Sequence, residues 1–137
     1  SGIINKKTTD WITQKITNFI KKRKIKLHKK KILILGVAYK QNIDDTRESP
    51  AFKIASKLRL KGFDFEYSDP YVSKILFNKK IKKSQKLNSE LFNKYPVVFI
   101  ATDHSKFNYS LITKKAKYIF DSRNVIKNRE KNYFKVW

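Results

Sequence analysis

Lys31-Ile-Leu-Ile-Leu-Gly-Val-Ala-Tyr39 is the stretch that decides the fold. Between Lys31 and Tyr39 every position is apolar or glycine, so a strand here has no solvent face and must be covered on both sides. Strands of that kind lie inside parallel sheets, and parallel neighbours are joined by helical crossovers. The flanking sequence supplies the helices. Downstream, Ser49 caps and Pro50 opens a helix carrying Ala51, Ile54, Ala55 and Leu58, which Gly62 stops. Upstream, Ile12, Ile16, Phe19 and Ile20 recur at i, i+4, i+7 and i+8, one face of a helix for which Asp10 is the expected cap. That helix should end in the basic stretch from Lys21 to Lys31, which has no apolar stripe beyond Ile25 and Leu27 and wraps over the surface into the first strand.

Further along, residues 63–67 read as a second strand ending at Ser68-Asp69-Pro70, 97–101 as a third, 118–121 as a fourth and 132–137 as a fifth at the edge. Residues 110–115 form part of a helix, and two short helices are expected between residues 73 and 94. Strands alternating with helices predict an α/β fold: a Rossmann-like, doubly wound, mostly parallel sheet with helices on both faces. In such folds ligands bind outside the carboxyl ends of the strands.

At 137 residues the chain is one folding unit, with a leading helix and basic linker over 1–30 and the sheet domain over 31–137. A chain of this size buries about two thirds of its unfolded surface, enough for a core without staples. It has no cysteine, which excludes disulfides, thiolate zinc sites and a cysteine nucleophile and fits a reducing compartment. No apolar run approaches the roughly 18 residues of a membrane span, so a soluble domain is predicted, with no secretory leader. It has no methionine and begins Ser1-Gly2, which reads as a protease scar on a piece cut from a longer protein.

The net charge of +22 invites a nucleic-acid reading, and a basic nucleic-acid-binding α/β module is the alternative from a different class. A catalytically silent α/β interaction domain is a third. Of the 33 basic residues, however, 28 are lysine and 5 arginine, spread over almost every polar face rather than gathered in a stripe. Proteins that read phosphates and bases favour the planar arginine fork. A base-biased genome, rich also in isoleucine and asparagine codons, accounts for the composition without a ligand.

The acidic residues are more informative because they are few. Of 11, six follow strand ends: Asp44, Asp45 and Glu48 after the first strand, Asp69 after the second, Asp103 after the third and Asp121 at the end of the fourth. Asp69 and Asp103 either cap the next helices or face a ligand. The connection from Lys40 to Ser49 places Lys40, Asp44, Asp45 and Arg47 where a phosphate or sugar could be gripped, or where surface ion pairs form. Gly36 has no second and third glycine partner, so no dinucleotide fingerprint is present. Arg123 follows the fourth strand on the same edge as Arg47. His104 has no obvious partner and reads as structural rather than catalytic; His28 lies in the basic linker. Neither metal-ligand spacing nor a nucleophile triad is found.

The segment Ile34-Leu-Gly-Val-Ala-Tyr-Lys-Gln-Asn-Ile-Asp-Asp-Thr-Arg-Glu-Ser-Pro-Ala51 closely resembles the opening of the C-terminal, UDP-binding domain of the UDP-glucose/GDP-mannose dehydrogenase family. The resemblance continues in order and spacing through Ser68-Asp-Pro-Tyr71, Ala101-Thr-Asp-His-Ser105 and Asp121-Ser-Arg-Asn124. It implies the UDP-sugar-binding domain of an NAD-dependent 6-dehydrogenase, which oxidises C6 of a nucleotide sugar from alcohol to acid in two NAD-dependent steps through a cysteine thiohemiacetal. The cysteine, the NAD fingerprint and the catalytic lysine belong to preceding domains, so no catalytic residue is expected in this chain and the fragment alone should be inactive. By the same resemblance Tyr39, Lys40 and Arg123 match positions that contact the UDP-sugar, and Arg47 matches an arginine reaching the NAD held by the N-terminal domain. Asp44 and Asp45 would hold the loop that presents Arg47.

Thr102-Asp-His-Ser-Lys-Phe-Asn-Tyr109 looks like the branch acting on UDP-N-acetylhexosamines. UDP-N-acetylglucosamine is the first expectation, followed by UDP-N-acetylmannosamine and UDP-glucose. The resemblance further implies a cytoplasmic enzyme supplying surface polysaccharide synthesis, a homodimer or higher; ligand spacing, composition and hydropathy predict no metal, no specific nucleic acid and no membrane partner.

Overall fold

The computed structural model describes residues 6–129 and 132–137. Five parallel strands make one sheet: β1 (Lys31–Leu35), β2 (Asp64–Ser68), β5 (Val97–Ile100), β6 (Tyr118–Asp121) and β7 (Tyr133–Lys135), in the order β2-β1-β5-β6-β7. An antiparallel hairpin, β3 (Lys74–Phe77) and β4 (Lys80–Lys83), stands apart from it. The helices are α1 (Lys6–Arg23), α2 (Pro50–Leu60), α3 (Ser89–Lys94) and α4 (Tyr109–Lys115).

Alternate side chains of the central strands serve two cores. Ile32 and Ile34 of β1 and Val97 and Phe99 of β5 join Ile12, Ile16 and Ile20 of α1 and Ile54 and Leu58 of α2. Leu33, Leu35, Val98 and Ile100 point the other way, into Leu91 and Phe92 of α3 and Ile112 of α4. The continuous apolar pattern of β1 is thus explained by helices on both faces, and each such buried side chain contributes about 2 kcal/mol by area.

The strand is shorter than its apolar run. It ends at Leu35 because Gly36 turns the chain at φ +86°, while Val37 and Ala38 stay buried in the loop beyond. Helix α2 is built as expected: Ser49 Oγ accepts from Ala51 N, Pro50 fills the first turn, and Gly62 at φ +89° closes a Schellman motif. There Phe63 N donates to Leu58 O and Gly62 N to Arg59 O. The expected fifth strand is β7, at the sheet edge.

Two expectations are corrected. Asp10 lies inside α1 rather than at its cap and instead pairs with Lys57 of α2 at 3.0 Å, tying the two helices together. Between residues 73 and 94 there is one helix, not two, because residues 74–83 form the hairpin. Its turn residues Asn78 and Lys79 both have positive φ, 51° and 65°, the geometry of a type I′ turn that glycine usually marks. Lysine at the second turn position hides that signal. No described helix is long and apolar enough to cross a membrane.

Candidate functional site

Parallel register brings the strand ends into one row. Ser68 pairs with Leu35, Leu35 with Ile100, Ile100 with Asp121, and Asp121 with Lys135. With strands about 4.8 Å apart, the ends of β1, β5 and β6 fall within roughly 10 Å of one another. The loops leaving this row carry Tyr39, Lys40 and Arg47 after β1, Asp103 and His104 after β5, and Arg123 after β6. The chain leaves β1 for β2 on one side and later returns to β5 on the other, so the topological switch point lies between β1 and β5.

At the switch point the loops are stitched together. A Cβ on Gly36 would lie 2.5 Å from Thr102 Cβ, and Thr102 Oγ1 donates to Ala38 O at 2.8 Å. The buried Asp69 carboxylate binds the loop after β1: its Oδ2 accepts from Val37 N at 2.8 Å and Ala38 N at 3.3 Å, and its Oδ1 from Tyr71 N at 2.8 Å. Asp69 therefore caps no helix. The amides after the first strand, which in a dinucleotide-binding domain face the pyrophosphate, here face the protein's own carboxylate. That arrangement and the single glycine do not fit a dinucleotide bound by this sheet in the usual manner.

His104 is fully buried and lies between Asp69 Oδ2 and the backbone N of Asn42, at 2.8 Å from each. Asn42, at φ +63°, also bonds Ser105 twice through its carboxamide. The histidine is structural, as expected, and its partners are loops 35 and 62 residues away in sequence, which no local pattern reveals. Asn42 and Asp69 are the site-forming residues that sequence reasoning did not single out in this role.

The candidate ligand-facing residues sit above this scaffold. Tyr39 and Lys40 are exposed. Arg47 is 87% exposed, and its Nε and Nη2 donate to the two oxygens of Asp45 at 3.0 and 2.8 Å, while its backbone N donates to Oδ1. These bonds hold the Asp45 carboxyl down at about 2. Asp45 O in turn accepts from Tyr39 N, so Asp45 closes the loop and presents Arg47. Asp44 is exposed.

Arg123 is more enclosed, with Nε 3.4 Å from Asp103 Oδ1, a buried oxygen that accepts no hydrogen bond from the described residues. Asp103 thus faces an arginine rather than capping α4, whose cap is Asn108. Asp121 fixes the loop bearing Arg123 by accepting from Arg123 N, Val125 N, Ile126 N and the Tyr133 hydroxyl. Burial and the bond to Asp121 push the Tyr133 ionisation upward.

Lys40 and Arg47 on the loop after β1 and Arg123 on the loop after β6, two strands along, put three cations on one edge of the sheet, suited to a diphosphate-linked ligand. A cavity of about 350 Å³ opens on the same edge between Ser68, Asp69, Ser84, Lys106 and Phe107, but none of the four candidate residues lines it. Among the described residues no three potential metal ligands cluster.

Residues 33–128 match the family described as the UDP-glucose/GDP-mannose dehydrogenase family, UDP binding domain. A UDP-N-acetyl-D-mannosamine dehydrogenase of Methanocaldococcus jannaschii is 33% identical over 93% of the chain and 30% of its own length. The solved UDP-D-ManNAc dehydrogenase of Pyrococcus horikoshii superposes with a TM-score of 0.70 at 27% identity, over 93% of this chain and 30% of that one. The UDP-N-acetyl-mannosamine dehydrogenase of Staphylococcus aureus gives 0.68 at 28% identity, with the same coverage. The chain therefore spans about 30% of the length of these relatives.

Proposed function

Since the chain belongs to the UDP-glucose/GDP-mannose dehydrogenase family and carries its UDP binding domain, we propose that its strand-end edge holds the UDP moiety of a UDP-N-acetylhexosamine for NAD-dependent oxidation at C6. The observation that carries this reading is the convergence of Tyr39-Lys40, Asp103 and Arg123 on neighbouring strand ends.

Tyr39 offers an exposed ring and hydroxyl beside Lys40, and Lys40 and Arg123 neutralise the diphosphate. Asp103 and the Asp121 cradle keep Arg123 from wandering, so little rotamer entropy is lost when the substrate binds. The open edge becomes a closed cleft only against the rest of the enzyme, where water is excluded and these charges act more strongly.

The chemistry NAD would supply is a hydride acceptor for the sugar carbon. The Asp69-blocked turn lacks the free backbone amides on which a dinucleotide is usually held, which supports assigning NAD mainly to another part of the protein and the UDP diphosphate to side-chain cations. Arg47, exposed on a braced loop, is the residue we assign to meet NAD. Full oxidation of alcohol to carboxylate removes four electrons and consumes two NAD per sugar. The chain alone, lacking a cysteine, has no thiol nucleophile for the reaction.

The names of the relatives move UDP-N-acetylmannosamine ahead of UDP-N-acetylglucosamine, the first expectation within the UDP-N-acetylhexosamine class to which the Thr102-Asp-His-Ser motif points. A cytoplasmic role in supplying uronic acids for surface polysaccharide follows from such a product. The test is an NADH assay on the dehydrogenase that carries this domain, with UDP-N-acetylmannosamine, UDP-N-acetylglucosamine and UDP-glucose in parallel. Two NADH per UDP-N-acetylmannosamine is the expected result. Silence with all three from a folded, NAD-binding enzyme overturns the reading.

A further inference from the structure

His104 is too deeply buried to touch a substrate, yet its Nδ1 holds Asn42 in the loop that carries Tyr39 and Lys40, and its Nε2 bonds Asp69, whose carboxylate holds Val37 and Ala38 of the same loop. The chemistry of the partners fixes the ring's state. The backbone amide of Asn42 can only donate, so Nδ1 must present its lone pair. The remaining ring proton then sits on Nε2, directed at the acceptor Oδ2 of Asp69. His104 is the neutral, Nε2-protonated tautomer, and each nitrogen is matched to a partner of opposite kind.

The same Asp69 oxygen accepts from Val37 N and Ala38 N, immediately before Tyr39. Asn42, two residues after Lys40, is held by Nδ1 and by its own carboxamide on Ser105. The Tyr39-Lys40 turn is thus clamped on both sides by one buried carboxylate–imidazole pair, with its exposed side chains left to face a ligand. Lys24, Lys29 and Lys30 show that left-handed lysines occur elsewhere in linkers of this chain. The left-handed Asn42, by contrast, is fastened at three atoms.

We propose that Asp69 and His104 are positioning residues that set the Tyr39-Lys40 turn for the UDP-sugar. This rests on the substrate reading above. His104 acts as the latch: losing its acceptor frees Asn42 and lets the turn open, while the sheet and both cores stay in place.

Two substitutions separate the nitrogens. In His104→Gln the side-chain amide can keep the donor to Asp69 but offers nothing to Asn42. In His104→Asn the carboxamide oxygen replaces Nδ1 and the donor to Asp69 is lost. Two readouts are needed. Amide hydrogen exchange at Asn42, read by NMR on the 137-residue chain, requires no substrate. KM and kcat for the UDP-sugar are measured on the dehydrogenase that carries the domain.

His104→Gln should accelerate Asn42 exchange and raise KM about fivefold, as expected for the loss of one hydrogen bond, with kcat little changed. His104→Asn should restore both toward wild type. Should His104→Gln fail to fold, Asn42→Gly keeps the left-handed backbone, removes the carboxamide bonds to Ser105 and is expected to raise KM several-fold at unchanged kcat. An Asn42 amide that stays protected in His104→Gln overturns the latch. Faster exchange without a KM change, or equal losses in KM and kcat in both His104 variants, overturns the positioning role. A wild-type enzyme that uses no UDP-sugar removes the substrate reading, and the exchange experiment still decides whether the latch exists.

Discussion

Gly36 and Thr102 meet backbone to side chain at the switch point of the sheet, where a Cβ on Gly36 would stand 2.5 Å from Thr102 Cβ and 2.8 Å from Thr102 O. Gly36 also has φ +86°. Gly36→Ala therefore meets both backbone strain and overpacking against atoms that cannot yield, and should cost about 3 kcal/mol of unfolding free energy. Gly62 has a nearly identical φ of +89° but nothing within 4 Å of its would-be Cβ. Gly62→Ala should cost only about 1 kcal/mol. Urea unfolding of the two variants checks the difference; equal losses would show that close approach plays no part.

The Asp45–Arg47 pair gives a pH prediction. Asp45 is held at about 2, mainly by the Arg47 side chain and then by its backbone N–H. A carboxylate lowered on folding favours the folded loop above the unfolded carboxylate range near pH 4, and that preference fades as pH falls toward 2. NMR titration of the Asp45 carboxyl should show this low midpoint, and Arg47→Ala should return it to the ordinary range. An unshifted midpoint in wild type contradicts the brace.

Lys40→Ala and Arg123→Ala each delete a charge proposed to bind phosphate. Each should raise KM for the UDP-sugar about 10- to 100-fold, the span of a charge-assisted hydrogen bond of roughly 1.5–3 kcal/mol. Arg47→Ala should instead raise KM for NAD and leave that for the sugar nucleotide near wild type. Steady-state kinetics with each substrate varied in turn separates the two effects.

The lysine-rich surface predicts adhesion to any polyanion. Binding to random duplex DNA should fall steeply between low and physiological salt, with no preference among sequences. A sequence preference that survives salt would revive the nucleic-acid reading.

The fold was legible where periodicity and caps agree. The two-sided apolar run of β1, Ser49-Pro50 and Gly62 each kept their expected roles. The hairpin was hidden because Asn78-Lys79 makes its turn without glycine, and lysines interrupt the strand alternation. Asp10 resembles a cap only if the helix starts where its isoleucines do, and the chain is already helical at Lys6. Of the site, the strand-end placement of Lys40, Arg47 and Arg123 followed from the order of motifs. The bonds of Asp69 and His104 did not, since they join residues that only parallel register brings together.

UDP is expected to bind at the row of strand ends. The most direct test is a UDP titration of the isotope-labelled 137-residue chain, followed by amide chemical shifts. Saturable shifts should concentrate in residues 37–47, 102–105 and 122–124. No saturable shift, or shifts centred on the Lys74–Lys83 hairpin or the amino-terminal ends of the strands, would contradict it.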